Sequence, residues 1–164
     1  MASFDVCLSW VLDSEDRNRT WASNPDLPPG ARAIAGVNSH VFPSEYAAIA
    51  AKLQAERGPA VYSFYRTHFW NGWYGQLTST EVAKRVLDSA VNQGPGTAVK
   101  LLQEAIANLS GIIAVDGLWG VLTVQRANLL DADRLVEAFK TVRIAAYKAI
   151  GGPDLKDWLA RAAR

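Results

Sequence analysis

One cysteine and two histidines in 164 residues leave little material for disulfide or metal chemistry. Cys7 has no second thiol in the chain to pair with, and its place on an apolar helix stripe reads as a small core residue, not a nucleophile. His40 and His68 stand apart in sequence with no Cys/His cluster around them, so neither a metal nor another cofactor is expected. Charge of one sign is lacking too. Seventeen Lys and Arg stand against sixteen Asp and Glu, a net charge of +1. They are spread along the chain, which argues against nucleic acid and against an anionic membrane surface as partners. No apolar run is long enough to span a bilayer. The opening "MASFDVCLSW" has no basic segment leading into a long apolar one. The expectation is a chain without a signal peptide, cytoplasmic as synthesised. Phosphate-loop chemistry lacks its signature: "NQGPGTAVK" does not have the Walker spacing, and its lysine lies within the next helix. No nucleophile elbow points to a Ser-His-Asp arrangement. Internal repeats and low-complexity tracts are missing as well.

What is present is an ordinary globular composition, 49% apolar and 20% charged, with length enough for one domain and its core. The pattern predicts an all-α fold. A first helix runs over residues 4–14, because Phe4, Cys7, Leu8, Val11 and Leu12 recur at helical spacing. The stretch "DRNRTWASNPDLPPGARAIAGVNSHVFP" follows, a long irregular segment that suggests a functional loop or a small hairpin. Helices then come in close succession. "SEYAAIAAKLQAERG" has a Ser N-cap at Ser44 and a stop at Gly58, and "PAVYSFYRTHFW" opens with Pro59 in its first turn. "TSTEVAKRVLDSAVNQG" stops at Gly94, and "GTAVKLLQEAIANLSG" repeats the pattern through Leu102 and Ile106. "DADRLVEAFKTVRIAAYKAIGG" is the longest, and "PDLKDWLARAAR" closes the chain.

Carboxylates are the residues left for chemistry. The apolar rhythm of the first helix lands on Glu15, where an unpaired buried charge is costly. Two readings remain open there: a helix end that opens into a cleft, raising the carboxyl pKa, or a frayed end whose carboxylate faces water. Asp13 and Asp16 point off that face and read as solvated. Asp26 lies in the loop that follows. A glycosidase needs an acid near the leaving oxygen and usually a second carboxylate, and a partly screened helix-borne Glu suits the acid role. Six tryptophans are a high count for this length. Trp70, Trp73 and Tyr74 in "HFWNGWYGQL" crowd around two glycines and are candidates to stack on sugar rings. Asp88 and Asn92, four apart, share a helix face, and Gln103 of the next helix is placed to meet them. That group is either a polar cluster holding the helix pair or a substrate contact. "VDGLWGVLT" reads as an Asp-Gly turn at Asp116 and Gly117, with Thr123 near the start of a short helix.

Taken in order, "YRTHFW", "LDSAVNQG", "AVKLLQEAI", "VDGLWGVLT" and "RAN" resemble glycoside hydrolase family 108. These are bacterial and phage N-acetylmuramidases, also labelled secretion activators. The closing "RIAAYKAI…DWLARA" is similar to their C-terminal peptidoglycan-associated segment, and "LLQ…VDGLWGVLT" to small peptidoglycan-binding modules. The resemblance implies a single lysozyme-like domain over 1–164, with a catalytic-type part in 1–95 and a peptidoglycan-binding-like helical part in 96–164. It implies that Glu15, at the position of the family's Glu-Gly-Gly, is the catalytic acid. Glu15 is followed here by Asp16 and Arg17, and "DLPPGARAIAGV" keeps Asp26, Gly30 and Gly36 without the family's threonine. Side chains in place of the glycines add bulk near the sugar, and Arg17 is placed to pair with Glu15. Two functions follow from the resemblance. One is an N-acetylmuramidase that cuts the β-1,4 glycan strands of peptidoglycan, with Glu15 as acid and Asp26 as second carboxylate, reaching periplasm or wall by another export route. The other is an inactive lysozyme-like protein that binds or builds, partnered by a phage or secretion assembly.

Overall fold

A computed structural model describes residues 1–111 and 113–164. Among these residues the chain forms eight α-helices and one three-stranded sheet. In order they are α1 (Phe4–Glu15), β1 (Ser23–Asp26), β2 (Ala31–Ile34), β3 (Val37–Asn38), α2 (Pro43–Ala50) and α3 (Arg57–His68). Then come α4 (Thr80–Gln93), α5 (Pro95–Ser110), α6 (Val121–Leu129), α7 (Ala132–Ile150) and α8 (Leu155–Ala162). No described helix is long and apolar enough to cross a membrane. Contacts divide the chain into two units: Leu8–Asn71, and Met1–Cys7 with Gly72–Arg164.

In the unit Leu8–Asn71, the apolar face of α1 supplies Leu8, Val11 and Leu12, each fully buried, as are Ile34, Val37, Val61 and Tyr65. The long segment after α1 folds as an antiparallel meander in the order β1-β2-β3. Ser23 pairs with Ile34 and Asp26 with Ala31, and Ile34 pairs onward with Val37. The buried positions are Ala31 and Ile34 of β2 and Val37 of β3, while β1 is mostly exposed. Two expectations fail here. Ser44 does not cap α2: Pro43 takes the first helical position, and Phe42 precedes it without a side-chain hydrogen bond. Gly58 does not end a helix either. The helix stops at Ala50, and Gly58 sits inside the first turn of α3. Any Cβ at Gly58 would lie 3.3 Å from the Trp21 ring, so a close approach and not a stop accounts for this glycine.

In the other unit α4, α5 and α7 have caps in their own stretches of sequence. Ser79 caps α4 by accepting from Val82 N, and Asp131 caps α7 by accepting from Arg134 N. Gly94, at φ +90, joins α4 to α5, and Gly111, at φ +81, ends α5. Helix α5 packs against α4 and α7, and α8 against α7. Helix α4 lies in this unit too, with Val82, Val86, Leu87 and Ala90 of its face buried. Cys7 is fully buried, and burial pushes its thiol from 9.0 up to about 11. A raised thiol pKa means less thiolate at a given pH. At pH 8 the folded protein should therefore react with a disulfide reagent at least about a hundredfold more slowly than the chain in denaturant, read by thiol release. Equal rates would place Cys7 outside the core.

Candidate active site

Helix α1 holds its last turn: Asp16 N–H donates to Leu12 O at 2.8 Å, so Glu15 ends a formed helix and not a frayed one. The Glu15 residue is half-buried. Its seat is the two-residue turn between β2 and β3. There Ala35 (φ 47) and Gly36 (φ +80) both take left-handed backbone, a conformation that costs a side-chain-bearing residue free energy. The turn is held from α3, where the buried Tyr65 hydroxyl donates to Ala35 O at 2.8 Å. A Cβ built on Gly36 would lie 2.6 Å from Tyr65 Oη and 2.7 Å from Glu15 Oε2. Carboxylate, hydroxyl and bare backbone therefore meet at one point, and only glycine fits there on both counts of space and φ. Tyr65 has no sequence signal beyond being an aromatic on a helix.

The loop after Glu15 is built around Asp16 and Arg19. Asp16 is not a solvated charge. Its carboxylate accepts from Thr20 N (3.0 Å), Thr20 Oγ1 (3.1 Å) and Trp21 N (2.7 Å). Asp13 is likewise engaged, by Arg19 Nη2 at 2.9 Å. The Arg19 guanidinium also donates to Asp16 O at 2.8 Å and Ser9 O at 2.7 Å, tying the loop back onto α1. Left-handed backbone falls at Arg19 (φ 51) and Trp21 (φ 52), so the chain reverses there, and Asp16 and Arg17 need no positive φ. Arg17 itself is exposed.

Asp26 sits elsewhere on the same sheet. It faces Ala31 across the β1–β2 hairpin, whereas the Gly36 turn follows Ile34. Three residues of strand separate those two levels, about 10 Å. Asp26 accepts from Leu27 N and from Asn38 Nδ2, each at 2.8 Å, closing the loop at that end. Trp70 is half-buried in the unit Leu8–Asn71, and Trp73 is half-buried in the other. Tyr74 cannot stack on a sugar. It is fully buried, edge-on to Trp119 at 5.0 Å, and burial raises its hydroxyl pKa far above the ordinary value.

Asp88 is sealed from solvent as well. Arg143 Nη2 reaches its Oδ2 at 2.7 Å and Arg161 Nη2 its Oδ1 at 2.8 Å, so one buried carboxylate ties α4 to α7 and α8. That closes it as a substrate contact, since both oxygens are taken and no surface is left. Asn92 is exposed and accepts a hydrogen bond from Tyr147 Oη. Gln103 does not join these two. Its amide donates to Asp116 Oδ1 (2.8 Å), Leu118 O (3.1 Å) and Thr123 Oγ1 (3.2 Å), and accepts from Gly117 N (2.9 Å). The "VDGLWG" loop is thereby clamped to α5 and α6. The Leu118 N–H and then the Gln103 amide hold the Asp116 carboxyl below its ordinary range. Among the described residues no group of three or more His, Cys, Asp or Glu is placed to hold a metal.

No family model matches the chain, and no curated protein does. Among solved structures it is similar to SagA of Brucella abortus, at 23% identity over 98% of this chain and 90% of that one, with a TM-score of 0.72. This likeness establishes the fold, helices with a small sheet after the first.

Proposed function

We propose that this helical scaffold is that of a lysozyme-like peptidoglycan hydrolase, an N-acetylmuramidase that cleaves the β-1,4 glycan strand with Glu15 as general acid. The observation that carries the reading is the Glu15 seat. A carboxyl group at a formed helix end lies against a glycine turn that a buried tyrosine fixes. Catalytic carboxyls have to be set against locked neighbours, and the turn beside Glu15 is locked by Tyr65. In the reaction Glu15 gives its proton to the glycosidic oxygen as the bond to the anomeric carbon breaks. Water then takes the leaving oxygen's place on that carbon, and the proton it sheds restores Glu15 to its acid form. Bare backbone at Gly36 lets the Glu15 carboxyl and the Tyr65 hydroxyl close in on the turn. Trp70, half-buried and in the same unit as Glu15, is the aromatic proposed to stack on a sugar face. Asp26 is proposed as the residue that shapes the loop, because both of its oxygens serve Leu27 and Asn38. No cofactor enters this chemistry, and the partner is the glycan strand.

A second reading keeps the scaffold and drops the catalysis: a protein that binds the wall or a phage or secretion assembly. The side chains of Asp16 and Arg17, where the resembling family has glycines, favour it. Release of reducing ends from purified sacculi, wild type against Glu15→Gln, separates the two. Release by the wild type alone supports the hydrolase. Sedimentation with sacculi and no release by either supports the binding protein.

A further inference from the structure

Away from the Glu15 seat, α2 and α3 enclose a cleft of about 310 Å³ within the unit Leu8–Asn71. Its floor is apolar and closed, formed by Ile49 and Phe64, which are 3% and 5% exposed. Its two ends carry opposite charge. Glu45 stands at one, where His68 Nε2 meets its Oε1 at 3.1 Å and fixes the carboxylate. The His68 ring is itself held by Phe64, with centroids 4.7 Å apart, and by Phe42. Lys52 stands at the other end. The helical turn continues past α2, since Ala51 N–H donates to Ala47 O and Lys52 N–H to Ile49 O. Seven residues of helical rise therefore separate Glu45 from Lys52, about 10 Å. The α3 wall contributes the Ser63 and Thr67 hydroxyls, four residues apart and so on one face.

We propose that this cleft binds a short zwitterionic peptide of about three residues. The peptide's ammonium lies at Glu45, its carboxylate at Lys52, and its small side chains rest on Ile49 and Phe64. Charge order and span both select this ligand. An extended chain advances about 3.3–3.6 Å per residue, so three residues cover the distance between the two charges. Glu45 Oε2 is available to the ammonium while Oε1 stays with His68. Ser63 and Thr67 face the peptide backbone, which needs polar partners when it leaves water. None of these residues belongs to the Glu15 seat, so the inference stands or falls apart from glycan hydrolysis.

The test is a titration of isotope-labelled full-length protein with tri-alanine, followed by amide resonances up to about 10 mM peptide. The expected result is a saturable shift centred on Ser63, Thr67 and His68. Tri-alanine acetylated and amidated at its ends should bind at least about tenfold more weakly, as should Glu45→Gln and Lys52→Gln with the free peptide. Glu15→Gln should bind it as wild type does. No shift at these three residues would overturn the proposal. So would equal binding of the capped peptide, or wild-type binding by both cleft variants.

Discussion

Glu15→Gln should lower reducing-end release from sacculi by about 10²–10⁴-fold, the range that a positioned proton donor contributes. The same variant should keep its unfolding free energy in urea within about 0.5 kcal/mol of wild type, because the amide is nearly isosteric and Glu15 is half-buried. A carboxamide cannot give a proton to a leaving oxygen, yet it can still occupy the place beside Gly36. Sacculus sedimentation should thus be unchanged while turnover stops. Gly36→Ala makes the matching control. Its methyl group would fall 2.7 Å from Glu15 Oε2 and 2.6 Å from Tyr65 Oη, at a φ of +80. It should lose turnover too, and also about 1–3 kcal/mol of stability from the strained backbone. A folded Glu15→Gln protein that still releases reducing ends at the wild-type rate would remove Glu15 from the acid role, whatever Gly36→Ala does. Loss in both variants, with destabilisation in the second alone, is the pattern that the seat predicts.

The two halves of that seat differ in how far a sequence can reveal them. Glu15 is marked by its own helix: the stripe through Leu8, Val11 and Leu12 runs straight into it, and periodicity is a local property. Tyr65 lies 30 residues from Ala35, the carbonyl it holds, and nothing in "VYSFYRTH" distinguishes it from Tyr62. The stop expected at Gly94 held, and α4, α5 and α7 carry their caps beside them as Ser79, Gly94, Gly111 and Asp131. Where Ser44 and Gly58 offered the same kind of signal, distant or neighbouring groups overrode it: Pro43 for the first, the Trp21 ring for the second. The sheet was hard to foresee for a different reason. "SNPD" has no strand alternation, and β1 owes its place to pairing with β2 and to closure by Asp26 and Asn38. Helical spacing likewise put Asp88 and Asn92 on one face but said nothing of what lies across from it. Arg143, Arg161 and Tyr147 arrive from helices more than 50 residues away, whereas Gln103 turns to the loop that follows its own helix.

Asp88→Ala should be the most destabilising single change in the chain's larger unit, by about 3–5 kcal/mol in urea or thermal unfolding. Against a typical domain stability of about 5–15 kcal/mol, this is enough to leave a fraction unfolded at growth temperature. The cost comes from what remains. Arg143 is only 1% exposed, and without Asp88 its guanidinium is a buried cation that has lost its carboxylate, while the half-buried Arg161 loses its bond to Asp88 as well. Neutralising the more buried partner should therefore restore stability. Asp88→Ala with Arg143→Met is expected to unfold later than Asp88→Ala alone, although it has lost one more polar contact. If the double variant is instead weaker than either single change, the site is held by packing and not by charge pairing. Function provides the independent check. A carboxylate with no exposed surface touches no ligand, so per folded molecule Asp88→Ala should sediment with sacculi as wild type does. A loss of binding in fully folded protein would mean that the α4–α7–α8 junction opens to admit ligand, and that Asp88 is part of what it meets.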